Sequence, residues 1–126
     1  MYTHVVVGSN DLQKSKQFYD AVFTAIGGSE GMDMGERIAY AHNGLNFMVT
    51  KPINGEPATY ANGGTIGFSM TGPEQADAWH AAGVSNGGTT CEDPPGERDL
   101  GFAKLYLAYL RDPDGNKLCA MFPMGQ

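Results

Sequence analysis

The sequence has few basic residues and no long apolar segment, and each shortage excludes a class of protein. Eight lysines and arginines stand against fourteen aspartates and glutamates, which gives a formal net charge of -6. Nucleic-acid binding requires clustered positive charge, so we expect no nucleic-acid partner. No apolar run approaches the ~18–20 residues that cross a bilayer, so we expect no membrane partner either.

Cysteine is also scarce. The two cysteines, Cys91 and Cys119, lack the C-x-x-C spacing of a metal or redox motif. Residues 1–4 lack the basic start and apolar stretch of a secretory signal. We therefore expect a cytoplasmic protein in which both thiols are free.

Glycine, by contrast, is frequent, with 18 residues, and this predicts many turns and short strands. In the first half, residues 11–26 repeat apolar side chains at helical spacing behind a capping residue at Asp11. Asn43-Gly44 predicts a hairpin turn. The strands predicted in this half are 2–8, 29–34, 36–42 and 45–51.

The same order starts again after a turn-rich linker at residues 52–63. Thr71 and Glu74 form a capping-box pattern that predicts a helix over 73–82, ended by Gly83. Residues 92–101 are polar and rich in proline and glycine, which predicts a loop. The strands predicted in this half are 64–71, 88–91, 103–111 and 117–122.

This order predicts one α+β domain over residues 1–126, made of two paired βαβββ modules that form a cupped mixed sheet. The modules are residues 1–51 and 64–126, with a period of about 61 residues that sets Thr65 opposite His4. Met48 corresponds to Cys119, because each follows a turn glycine by four residues. One module alone has too small a core to be stable. Pairing the modules buries the helix-facing side of each sheet and leaves the other face available to a ligand.

Two local motifs carry a family resemblance. The first is His4-Val5-Val6-Val7 followed by Asp11-Leu12, Ser15 and Phe18-Tyr19; the second is Arg-Asp-Pro-Asp-Gly-Asn-Lys-Leu at 111–118. With the order of elements, they resemble the vicinal oxygen chelate superfamily, which includes glyoxalases, bleomycin-resistance proteins, fosfomycin-resistance enzymes and extradiol dioxygenases. The resemblance covers nearly the whole chain and implies a ligand-binding cup.

The resemblance also implies where a metal would bind. In metal-binding members four ligands point into the cup. The corresponding residues here are His4, Met48 (or Asn46, if the strand slips), Thr65 and Cys119, of which only His4 matches the family pattern. A divalent ion needs three or four nitrogen, oxygen or thiolate donors, whereas a methionine thioether suits a soft metal such as Cu(I). We therefore expect no cofactor. A divalent metal would require a further donor, such as His42 or a partner subunit.

His4 and Cys119 are the candidate catalytic residues. A histidine in the cup can act as a general base on a bound substrate; the alternative is a strand histidine that only packs. Cys119 would be a nucleophile if a cation or histidine lowered the pKa of its thiol. The alternative, a small buried apolar residue, is the common role of a free cysteine.

Aromatic residues complete the predicted ligand-binding set. Alternation along 103–111 places Tyr106 and Tyr109 on opposite faces, so at most one of them lines the cup. The predicted ligand-binding residues are His4, Tyr40, Phe47, Met48, Thr65, Tyr109 and Cys119.

Three functions are compatible with these residues. The leading hypothesis is a metal-free protein, similar to the bleomycin-resistance branch, that holds a small organic molecule; the resemblance also implies a homodimer. The second is a glyoxalase- or dioxygenase-type enzyme, a lyase, isomerase or oxygenase, that uses a metal at His4. The third is a protein-interaction module without a ligand. Substitution at three of the four ligand positions argues against the enzyme.

Overall fold

A computed structural model describes residues 1–125 of the chain. Over these residues the chain forms two helices and two sheets, of four and five strands, which confirms the predicted α+β class. The elements of the first half are β1 (Val5–Gly8), α1 (Leu12–Ala25), β2 (Met32–Asp33), β3 (Arg37–His42) and β4 (Leu45–Thr50). Those of the second half are β5 (Ile66–Ser69), α2 (Pro73–Ser85), β6 (Thr89–Thr90), β7 (Gly96–Asp99), β8 (Lys104–Arg111) and β9 (Lys117–Gly125).

The two sheets repeat one topology. The first has the strand order β1-β4-β3-β2, and the second has the order β5-β9-β8-β6. In the first sheet Val6 pairs with Met48, and in the second Gly67 pairs with Cys119. Because Gly67 follows Val6 by the predicted 61 residues, the correspondence between Met48 and Cys119 is confirmed.

Three local predictions are wrong. Residues 96–99 were expected in a loop but form β7, because they continue the second sheet by pairing with β8. The capping box is absent: Gly72 is the N-cap of α2, and the side chain of Gln75 accepts from the N–H of Thr71 instead. Gly83 does not end α2, which continues to Ser85.

The close packing around Gly83 explains why a glycine occurs inside a helix. A Cβ atom at this position would lie 2.4 Å from Cδ1 of Leu110 and 3.1 Å from a ring atom of Phe18. The missing side chain therefore lets α2 approach both α1 and β8 closely. The helix ends instead at Ser85, with Asn86 as its C-cap, just before Gly87 in the left-handed region with φ of 96°.

One core joins the two halves. The rings of Phe23 and Phe47, from the first half, contact Phe68 of β5 at centroid distances of 5.9 and 5.8 Å. Trp79 of α2 is buried against the same ring. The helix-facing side of both sheets is thus buried together, as the pairing of modules requires.

The turn at 112–116 ties the second half to α1. The carboxylate of Asp112 accepts a 2.6 Å hydrogen bond from the Tyr19 hydroxyl, and it also accepts from the Asn116 side chain and from the backbone N–H groups of Asp114 and Asn116. Ser15 donates to the carboxylate of Asp114 at 3.1 Å. The turn is therefore a buried polar contact between the modules as well as a hairpin.

Candidate functional site

The candidate site begins with the alternation of side chains in the first sheet. Ile38 and Tyr40 of β3, with Phe47 and Val49 of β4, are buried against the helices. The residues between them therefore stand on the opposite face of the sheet. Met48 is one of these.

A cavity of about 510 Å³ lies on this opposite face. Its lining is mostly apolar, with a few polar groups. The lining residues are Thr3, His4, Ser29, Glu30, Met32, Ala39, Tyr40, Ala41, Asn46 and Met48. This volume lies within the roughly 300–1,000 Å³ of small-molecule sites, and a mostly apolar lining with a few polar groups is also typical of them.

His4 lies one residue before β1 begins. It was expected within a strand over 2–8, but β1 starts at Val5. The Nδ1 atom of His4 is 2.8 Å from the Thr3 hydroxyl. When Nδ1 carries the proton and donates it to Thr3, Nε2 keeps a free lone pair that can bind a ligand or accept a proton.

The segment 29–32 forms one wall of the cavity and is held by Asp20 of α1. The Asp20 carboxylate accepts from the N–H of Gly31 at 2.8 Å and from the Tyr40 hydroxyl at 2.7 Å, and it pairs with Lys16. Partial burial opposes ionisation of Asp20, but these three donors hold its pKa below the ordinary value. Burial, followed by the bond to Asp20, raises the pKa of Tyr40.

Gly31 is required by this wall. A Cβ atom there would lie 2.5 Å from Cζ of Tyr40 and 2.6 Å from Cγ2 of Ile38. No side chain fits without a displacement of the segment. The Tyr40 ring thus packs against the segment 29–32, and because of this contact it also lines the cavity.

Phe47 does not line the cavity, although we expected it to bind a ligand. Its side chain is fully buried on the helix side, where its ring contacts Tyr19 at a centroid distance of 4.9 Å. His42, which was expected as a possible further donor to a metal, lies on the same side against Phe23. Alternation along their strands directs both side chains to the helix side of the sheet.

Three predicted residues lie in the second half, away from this cavity. Thr65 is exposed beside the edge of β5, whereas Tyr109 and Cys119 are paired on neighbouring strands of the second sheet. Cys119 is only 4% exposed, and burial raises the pKa of its thiol. Cys119 is not among the residues that line the cavity with His4. The structure therefore does not bring His4 and Cys119 together as a base and a nucleophile within one cavity.

The four metal-ligand positions implied by the resemblance do not fit a divalent ion. His4 and Met48 line the cavity, while Thr65 directly precedes β5 and Cys119 lies in β9 of the second sheet. Within residues 1–125, no group of three His, Cys, Asp or Glu side chains converges on a point. The set combines one imidazole with a thioether, a hydroxyl and a protonated thiol, so it lacks the carboxylates that such ions prefer.

The sequence did not single out Met32 or Glu30 as lining residues, and it offered Asn46 only as an alternative to Met48. Met32 pairs with Ala39, and Ala39 pairs with Met48, so all three share one face. Alternation through 36–42 and 45–51 was a signal for Ala39 and Asn46. No pattern in the sequence predicted that residues 29–32 form a wall of the cavity, because the position of this segment depends on Asp20, which is distant along the chain.

No helix in the described residues has the length and apolar character needed to cross a membrane.

The chain is similar to known proteins in both sequence and structure. A model of the Glyoxalase/Bleomycin resistance protein/Dioxygenase superfamily matches residues 2–120. A glyoxalase/bleomycin resistance protein from Albidiferax ferrireducens T118 is 57% identical, with a TM-score of 0.92 over 96% of this chain and 98% of that one. No curated protein matches.

More distant structures share the fold alone. A glyoxalase-related enzyme from Fulvimarina pelagi is 20% identical with a TM-score of 0.72, over 97% of this chain and 88% of that one. A glyoxalase/bleomycin resistance protein/dioxygenase family enzyme from Burkholderia phytofirmans PsJN is 15% identical with a TM-score of 0.71, over 94% and 95%.

Proposed function

The chain belongs to the glyoxalase/bleomycin resistance protein/dioxygenase superfamily, and from that premise we propose that it binds a small, largely apolar organic molecule without a divalent metal. The cavity of about 510 Å³ on the first sheet is the observation that carries this proposal. Met48 and Ala39 supply an apolar floor. Binding there is driven by removal of apolar surface from water.

Polar groups at the edge of the cavity orient the ligand. Asn46, Glu30 and His4 all line it, and the side-chain amide of Asn46 already donates to the backbone oxygen of Thr3 at 3.3 Å. The Nε2 atom of His4 remains available for a hydrogen bond. A ligand with one or two polar atoms on an apolar body matches this arrangement.

Filling the cavity tests the proposal directly. Ala39→Phe places a ring between Met32 and Met48 and leaves the helix-facing core unchanged. Thr89→Phe, at an exposed strand position of the other sheet, is the matched control. Small aromatic and heteroaromatic compounds are screened against the full chain by thermal shift, since a ligand at 100 times its Kd stabilises a protein by about 2.7 kcal/mol.

The expected result is a set of compounds that stabilise the wild type and Thr89→Phe but not Ala39→Phe. Compounds that stabilise all three variants equally would place binding elsewhere. If no compound stabilises the wild type, the protein-interaction alternative gains support. Stoichiometric Ni, Zn, Mn or Fe that resists dialysis and is required for turnover would favour the enzyme alternative.

We also propose that the protein is a homodimer. In the described residues β1 pairs only with β4, and β5 pairs only with β9, so each of these strands has one edge without a strand partner. Open edges are usually paired or covered in native proteins. Light scattering after size exclusion tests this: a molar mass near twice 13.4 kDa is expected, and a monomer at micromolar concentration contradicts it.

A further inference from the structure

Two methionines share one row across the first sheet. Met32 of β2 is in register with Ala39 of β3, and Ala39 is in register with Met48 of β4. Adjacent strands lie about 4.8 Å apart, so the two methionine Cα atoms are roughly 10 Å from each other. Ala39 places only a methyl group between them, so the two long, unbranched thioether side chains are free to converge above it.

His4 lies on the same face of the sheet. Val6 pairs with Met48, and His4 precedes Val6 by two residues, which places both on one side. His4 lines the cavity together with Met32 and Met48. Its Nδ1 atom is engaged by Thr3 at 2.8 Å, an arrangement that in metal sites orients the ring and leaves Nε2 for the ion.

Two of the donors that line the cavity, the thioethers of Met32 and Met48, are chemically soft. Thioether sulfur selects monovalent copper over Zn, Mn or Mg, and imidazole nitrogen also suits copper. We propose that Met32, Met48 and His4 form a three-coordinate site for one soft monovalent ion of the copper(I) class. This site differs from the four positions implied by the family, because it uses Met32 and neither Thr65 nor Cys119.

Accessibility supports the assignment. The side chain of Met32 is 67% exposed and that of His4 is also exposed, so an ion can reach both, while Met48 is half-buried at the floor. The side chains can thus close on an ion without unpacking the core. An ion bound here would occupy the cavity proposed for the organic ligand, but its binding does not depend on that ligand.

The test uses the full chain labelled with 13C at the methionine methyl groups and titrated with silver(I), a redox-inert probe of the same class, in chloride-free buffer. The methyl signals report on each methionine separately, so binding of silver by Cys91 or Cys119 does not obscure the result. Met32→Leu and Met48→Leu assign the signals and conserve side-chain size. Met121→Leu, on the second sheet, is the matched control.

The expected result is that the Met32 and Met48 signals shift together and saturate at one equivalent of silver beyond that taken up by the Cys91 thiol. Met48→Leu abolishes the Met32 response, and His4→Ala weakens binding by more than the roughly 10–100-fold loss seen when a residue that only orients a ligand is removed. Met121→Leu leaves the titration unchanged. Met32 and Met48 signals that shift no more than that of Met121, or that saturate independently, would overturn the site, and so would unchanged affinity in His4→Ala. None of these outcomes bears on the organic-ligand screen.

Discussion

Replacing Tyr19 with phenylalanine removes a single hydroxyl from the buried contact between the two halves of the chain. The ring of Tyr19 is fully buried and its hydroxyl donates to Asp112 at 2.6 Å. The phenylalanine ring fills the same space, so packing is conserved. Asp112 retains three donors, from Asn116 and the backbone of Asp114, and loses the fourth.

The expected loss of stability follows from the charge on the acceptor. A hydrogen bond to a charged group contributes about 1.5–3 kcal/mol. An unfolding entropy of roughly 2.1 cal/mol/K per residue amounts to about 0.26 kcal/mol/K for 126 residues. Tyr19→Phe should therefore lower Tm by about 6–11 °C.

The loss should also depend on pH. Burial raises the pKa of Asp112, and its hydrogen-bond donors, Tyr19 among them, oppose this rise. Removing the Tyr19 hydroxyl raises the pKa further. The carboxylate needs the hydroxyl most when it is ionised, so the penalty is largest above the folded pKa and shrinks as pH falls through it.

Urea unfolding of wild type and Tyr19→Phe at several pH values measures both effects. Tyr40→Phe is the matched control, because it removes a similar hydroxyl bond, at 2.7 Å, from the less buried Asp20. We expect a smaller loss for this control than for Tyr19→Phe, because solvent screens the hydrogen bond to the less buried Asp20. A loss below about 0.5 kcal/mol for Tyr19→Phe, or one that does not change with pH, would refute the reasoning.

Three further predictions concern the cavity wall and the thiols. Gly31→Ala should lower the free energy of unfolding in urea by about 1–3 kcal/mol and weaken ligand binding, because its Cβ overlaps the Tyr40 ring. Unchanged stability and binding would show that the segment 29–32 can move to accommodate the methyl group. Asp20→Asn should destabilise by about 1 kcal/mol at pH 7. Since the folded pKa of Asp20 is lowered, this difference should disappear as pH falls through that value, and a constant difference down to pH 3 would contradict it. A thiol reagent should modify Cys91 in the folded protein but Cys119 only after unfolding, because Cys119 is 4% exposed. Cys119→Ala should leave the modification of Cys91 in the folded protein unchanged.

Local patterns determined most of the elements of this fold. Helical spacing behind Asp11 predicted α1, and the Asp11 side chain does accept from the N–H groups of Gln13 and Lys14. The repeated order and the 61-residue period predicted two modules with corresponding strands. These features depend on contacts between near neighbours, which a sequence displays directly.

Only the tertiary structure decided which face of each strand meets the helices and what lies beyond it. Phe47 and Met48 are adjacent in sequence, yet one is in the core and the other in the cavity, because the parity of a strand is set by what packs on it. The wall at 29–32 depends on Asp20, and the burial of Cys119 depends on strands from distant parts of the chain. Such positions result from the sum of long-range packing, so no short stretch of sequence contains them.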